Sequence, residues 1–168
     1  MQLVKAPDEW LEKAVKPFDF DELDPVEISG KMCEIMMAQN GIGLSANQVG
    51  LDAQIFVMRP IEHSEIKKPF AVINPHVLEI SEEKFNGPEG CLSYPGLVLH
   101  VSRPTKIVTQ FLDLDGKECI IEFSGIDARC FLHEFDHLNG VTFTDRVSKL
   151  KLEMAQKKLK KQKRLING

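Results

Sequence analysis

Asp127-Ala128-Arg129-Cys130-Phe131-Leu132-His133-Glu134-Phe135-Asp136-His137-Leu138-Asn139 reads as one helix, closed by Gly140. Within it His133 and His137 stand four residues apart, on one face, so both imidazoles can reach a single ion while Glu134 sits beside them. That arrangement suits a divalent metal with an activated water and a carboxylate to take its proton. A helix carrying such a site needs walls around it, and the flanking sequence supplies them.

Upstream, Pro25 to Asn40 places Ile28, Met32, Ile35 and Met36 at helical spacing and stops at Asn40-Gly41. A Gly-rich loop follows, Gly41-Ile42-Gly43-Leu44-Ser45-Ala46-Asn47-Gln48-Val49-Gly50. Short β-branched and apolar segments then run over 54–58, 71–73, 77–80, 97–101, 107–112 and 118–123, with Asp115-Gly116 marking a hairpin between the last two. Turns rather than helices separate these strands, which predicts antiparallel or mixed pairing. A third helix is expected from Val147 to about Leu165, with Val147, Leu150 and Met154 as its apolar stripe. The fold expected is α+β: antiparallel or mixed β-sheets packed around a central HExxH helix, with an N-terminal and a C-terminal helix. Residues 1–147 are expected to form the catalytic domain and 148–168 a basic C-terminal helix of that same domain.

The chain has 168 residues and 19.0 kDa, enough for one domain, and its 43% hydrophobic and 27% charged residues can build a real core. No apolar run approaches the ~20 residues that cross a bilayer. The N-terminus lacks an apolar signal core, so a cytoplasmic location and no membrane partner are expected. From Arg146 onward nine Lys and Arg face one acid, a net +8, against −12 for the rest and −4 in total. An acidic body with a basic tail suggests that the tail meets an anionic partner. The four cysteines, Cys33, Cys91, Cys119 and Cys130, show no CxxC pairing and are expected to be reduced thiols.

Two histidines do not fill a metal site. The pattern H-E-x-x-H-x-x-G-x-x-H would end at Phe143, which cannot ligate, and the downstream carboxylates Asp145 and Glu153 are poor candidates. Upstream stands Glu89-Gly90-Cys91-Leu92-Ser93, read with Cys91 between a flexible glycine and an extended strand. Cys91, His133 and His137 would give a one-thiolate, two-imidazole site with a fourth position open to water. Gly41, Gly43 and Ala46 formally satisfy a nucleotide-binding G-x-G-x-x-G/A, but that motif follows a strand, and this one follows a helix.

These motifs, in this order, resemble the peptide deformylases. Gly41 to Gly50 matches G-x-G-x-A-A-x-Q-x-G except at Ser45, where alanine is usual; Glu89 to Ser93 matches E-G-C-L-S throughout. His133 to Gly140 matches the third motif, preceded by Leu132 where glutamine is usual. The resemblance implies removal of the formyl group from the N-terminal formylmethionine of newly made proteins, releasing formate. It implies that Cys91, His133 and His137 hold the metal, natively Fe²⁺ with Zn²⁺, Ni²⁺ or Co²⁺ substituting, and that metal-bound water attacks the formyl carbon with Glu134 as general base and then acid. Gln48 and the backbone N–H of Leu92 would stabilise the oxyanion. Ile42, Gly43, Gly90, Ile126, Arg129 and Cys130 would contact substrate. Nascent formyl-Met polypeptides are the expected partner, with ribosomal RNA as a second partner of the basic C-terminal helix, and the chain is expected to be a monomer. The rival readings are an HExxH zinc endopeptidase and a non-catalytic ribosome-associated factor with a structural metal site.

Three smaller expectations complete the reading. Ser45 and Leu132 should alter packing rather than chemistry. Glu89 is expected to pair with Arg103 and fix the loop that presents Cys91. Arg129 has two readings: its stem covers the pocket edge while its head reaches solvent, or its head narrows and polarises the pocket mouth.

Overall fold

The structure, a computed structural model, describes residues 1–167. Helix α1 (Pro25–Ala38) is followed by strands β1 (Gly43–Ser45), β2 (Ile55–Met58), β3 (Phe70–Ile80), β4 (Lys84–Gly90), β5 (Val98–Pro104), β6 (Lys106–Leu112) and β7 (Glu118–Ser124), then by helices α2 (Gly125–Leu138) and α3 (Lys149–Asn167). Short 3₁₀ turns cover Glu9–Glu12, Ala46–Val49 and Phe143–Arg146. Every strand pairing is antiparallel: a five-stranded sheet in the order β1-β2-β3-β6-β7 and a separate two-stranded sheet, β4-β5.

Helix α2 lies between the two sheets, against β1, β2 and β7 on one side and β5 on the other. That position explains its composition. Phe131, fully buried, meets Phe56 edge-on at 5.1 Å and stacks on Phe123 at 5.6 Å. Burying one such ring contributes roughly 1.5–3 kcal/mol. All four residues of β2 are buried, because α1 packs over the strand as well. At the far end of α2, Gly140 takes φ 73°, and a Cβ there would meet the Glu12 carbonyl at 2.6 Å, so this helix stop also seats the N-terminal segment.

Four elements differ from the sequence reading, each for a physical reason. The segments expected at 71–73 and 77–80 are one strand, β3, whose pairing with β6 shifts around Asn74-Pro75. Asn74, at φ 48°, accepts from Phe18 N–H (2.7 Å) and donates to the Phe18 carbonyl (3.1 Å), replacing ladder bonds with a side-chain clamp. Strand β4 (Lys-Phe-Asn-Gly-Pro-Glu-Gly) has poor strand formers and was not anticipated; its register with β5, Lys84↔Pro104 through Gly90↔Val98, makes it a strand. Cys91 follows that strand and opens a turn closed by Tyr94 N–H to the Cys91 carbonyl (2.9 Å), rather than preceding a strand. Of the expected α3 stripe, Val147 lies just ahead of the helix and packs on the cluster around Leu97 and Phe143, but the other two members are out of phase. Leu150 and Met154 are 67% and 62% exposed, while Leu152, Ala155 and Leu159 cover Leu97, Leu99 and Phe143.

Candidate active site

The site forms where the Gly-rich loop, the turn after β4 and helix α2 converge. One turn of α2 carries His133, Glu134 and His137, all buried. The Cys91 turn brings its Sγ to 3.4 Å from His137 Nε2. One ligand atom from each of Cys91, His133 and His137 lies within 4.8 Å of the others. A tetrahedral cation with M–S near 2.3 Å and M–N near 2.0–2.1 Å separates sulfur from nitrogen by about 3.5 Å, so the sulfur–nitrogen spacing suits the edge of such a site. Buried His137 Nδ1 has no hydrogen-bond partner among the described residues. Burial first, then the charges of His133 and Arg103, hold His137 well below its ordinary pKa, keeping the ring neutral as ligation requires. The donor set fits a divalent cation.

Behind the donors lies a buried ion network. The His133 Nδ1–H donates to Glu89 Oε2 at 2.9 Å, which aims Nε2 toward the Cys91 side. Arg103 binds Glu89 through Nε (2.8 Å) and Nη2 (3.1 Å), and binds Asp136 through Nη1 (2.6 Å). The Glu89–Arg103 pair expected from sequence is therefore present. Asp136 also accepts from Arg146 Nε at 3.0 Å and Nη2 at 2.5 Å, at the entrance to α3. Burial alone would raise the Glu89 pKa, but hydrogen bonds from His133 and Arg103 bring it down to about 2. The roles of Asp136 and Arg146 were not anticipated. The signal available was an acid inside the His-Glu-Phe-Asp-His run with no other evident task.

The structure overturns the first sequence reading of Arg129, a head that reaches solvent. Arg129 borders the cavity, yet its side chain is only 11% exposed and its head turns inward. Nη1 donates to Val101 O (2.7 Å), Gly87 O (3.2 Å) and Glu89 Oε1 (3.0 Å), and Nη2 to Phe85 O (2.7 Å). It fastens β4-β5 to α2 and does not reach out to solvent.

Glu134, Cys91 and His133 line one cavity of about 520 Å³, whose walls include Ile42, Gly90, Ile126 and Cys130, while His137 is fully buried next to Cys91. Burial pushes the Cys130 thiol well up, so it is a neutral, apolar wall. Gln48 is held on both sides: its Oε1 accepts from Ser45 N–H (2.9 Å), while its Nε2 donates to Ser93 Oγ (3.1 Å) and Cys91 Sγ (3.4 Å). Leu92 also lines the cavity, and no acceptor among the described residues takes its N–H. Burial raises the Glu134 pKa, opposed by the charge of His133 and a hydrogen bond from Ser45. A carboxyl so placed can both take and return a proton.

Gly43 lines the cavity and has a second role there. A Cβ there would collide with the Glu134 carboxylate, so its missing side chain makes room for Glu134. Phe143, where one peptidase pattern needs a ligand, is a core residue 5.7 Å from the His133 ring and packed on Tyr94. Asp145 is engaged locally, accepting from Thr142 N–H at 2.9 Å. Leu132 packs against the main core.

Residues 1–153 match the family model described as Polypeptide deformylase. A peptide deformylase from Rhizobium meliloti is 38% identical over 159 residues, covering 95% of this chain and 91% of the relative. One from Saccharophagus degradans is 40% identical over 164 residues, covering 98% and 94%. The crystal structure of the Ehrlichia chaffeensis peptide deformylase superposes with a TM-score of 0.86 at 37% identity, covering 100% of this chain and 99% of that one. A second structure of that protein, in complex with actinonin, gives a TM-score of 0.86 at 39% identity, covering 98% of each chain.

Proposed function

The chain belongs to the polypeptide deformylase family, and on that premise we propose how its own residues divide the work. The reaction is hydrolytic removal of the formyl group from the N-terminal methionine of newly made polypeptides, with formate as second product. A divalent cation held by Cys91, His133 and His137 supplies Lewis-acid polarisation and an acidified water. Glu134 accepts a proton from the attacking water and passes it to the leaving amine. Gln48 Nε2, exchanging its long hydrogen bond to Cys91 Sγ, and the Leu92 N–H donate to the formyl oxygen as it gains charge. Ile42, Ile126 and Cys130 form the apolar wall for the methionine side chain. The peptide lies extended between the free edge of β1 and the Gly90 end of β4, pairing as an added strand.

The observation that carries this reading is that Glu134, Gln48 and the donors Cys91 and His133 line one cavity, with a His137 ligand atom within 4.8 Å of theirs. The test is anaerobic formate release from formyl-Met-Ala, with metal analysis on the same preparation. Wild type should release formate, and Glu134→Gln should keep its metal while losing turnover at least a thousandfold, the upper range for one acid–base group plus its positioning. Formate release by a Glu134→Gln protein at the wild-type rate would overturn the assignment. Iron(II) is the proposed native metal; zinc, nickel and cobalt suit the same donors.

We further propose that α3 presents a ribosomal RNA-facing surface on a monomeric chain in the cytoplasm. Lys157, Lys158, Lys160, Lys161, Lys163 and Arg164 support this, in a helix that packs its other face on β5. Deleting the helix would uncover Leu97 and Leu99, so charge replacement is the cleaner experiment. Changing Lys157, Lys158, Lys160 and Lys161 to Gln should weaken salt-sensitive ribosome binding and spare peptide turnover. Unchanged ribosome affinity would refute it.

A further inference from the structure

Ser45 is fully buried, and its hydroxyl lies 2.6 Å from Glu134 Oε2 and 3.0 Å from the Glu134 backbone carbonyl. A hydroxyl has one proton to give. The carbonyl belongs to α2, where the helix supplies its own donor, whereas the carboxylate is closer, charged and has greater need. The Ser45 proton therefore goes to Oε2. Oε1 is different: no donor among the described residues reaches it, and it lies against Gly43 at the cavity. The two oxygens of Glu134 are thus unequal, one tied into the protein and one facing the space where substrate must sit.

Against the packing-only role expected from sequence, we propose that Ser45 is a positioning residue that dedicates Glu134 Oε1 to proton transfer. This rests on Glu134 being the general base and acid of the deformylase reaction. With Oε2 accepting from Ser45 throughout, the proton taken from the attacking water resides on Oε1, and Oε1 returns it to the amine nitrogen as the C–N bond breaks. The carboxylate need not rotate between the two transfers. Gly43 closes the other side, since any side chain there would occupy the Glu134 carboxylate's place. Ser45 itself is held because its own N–H donates to Gln48 Oε1 at 2.9 Å, so one short segment sets both the carboxylate and the amide on the cavity wall.

The test compares Ser45→Ala with wild type, alone and combined with Glu134→Gln, in proteins whose metal content and chelator resistance are measured in parallel. Ser45→Ala removes one oxygen at a buried site and should leave metal retention and KM unchanged. It should lower kcat about tenfold, the effect of one hydrogen bond to a charged group. On a Glu134→Gln background the same change should lower residual turnover less than twofold, because its route to the chemistry is gone. Ser45→Cys, similar in shape but a weak donor, should resemble Ser45→Ala. An unchanged kcat in Ser45→Ala would overturn the proposal, as would an equal loss on the Glu134→Gln background or a loss traced to lower metal retention. If Glu134→Gln is itself fully active, the general-base reading fails first, and the result separates that failure from this one.

Discussion

Arg129 illustrates how far one side chain's role depends on where its head ends. Four acceptors on β4 and β5, Glu89 among them, take the Nη1 hydrogens and one Nη2 hydrogen of the guanidinium, which ties its head to the two-stranded sheet. Replacing it with Leu keeps the stem's apolar cover but strands those carbonyls and removes one cation from Glu89. A loss of about 3 kcal/mol follows from unpaired buried acceptors and a broken buried ion pair, a fall in Tm of roughly 10 °C. Calorimetry should show that loss in Arg129→Leu, while the ranking of formyl-Met peptides by second residue stays as in wild type. A changed ranking at unchanged Tm would favour the pocket-mouth reading. Gln48 makes the complementary case, a polar group in the cavity wall with its amide already aimed. Gln48→Ala should cut kcat by about 100-fold or more with KM little changed, as loss of an oxyanion donor does; an equal rise in KM would instead mean a ground-state contact.

Among the elements, those with strong local signals were legible in the chain and those made by pairing were not. The α2 helix announced itself through His133, Glu134 and His137, and Glu89-Gly90-Cys91 pointed to the third donor, because ligand chemistry restricts residue type. Strand β4 stayed hidden because Asn86, Gly87 and Pro88 are poor strand formers, and only β5 alongside makes them extended. The network through Asp136 and Arg146 stayed hidden for a related reason: ion pairs across elements leave no periodicity. Helix α3 misled because it carries two apolar rows, Leu150 with Met154 and Leu152 with Leu159, and burial alone tells them apart. Leu152→Ala with Leu159→Ala should therefore lower the urea midpoint by the equivalent of about 2 kcal/mol or more. Leu150→Ala with Met154→Ala should change it by less than about 0.5 kcal/mol. The reverse order would place the other row against β5.

At the scale of the whole molecule, the two-stranded sheet and the turn before α3 are joined to α2 by charge as well as by apolar contact. Glu89 on β4 reaches Arg103 on β5 and both Arg129 and His133 on α2, while Asp136 on α2 reaches Arg146 ahead of α3. Such a network makes stability depend on pH in a direction that can be worked out. The Glu89 pKa falls from an ordinary 4.5 to about 2 on folding, so the unfolded chain binds the proton more readily. The stabilisation is complete above about pH 5 and is lost progressively as pH falls through the window between 4.5 and 2. Urea unfolding of the metal-free chain should thus show a midpoint that declines steeply below pH 4.5. Glu89→Gln should start lower at neutral pH, since three donors lose their charged partner, but decline less steeply in that acid window. Parallel declines in the two proteins would mean that other carboxylates carry the acid sensitivity and that Glu89 ties the two-stranded sheet to α2 without controlling the response to protons.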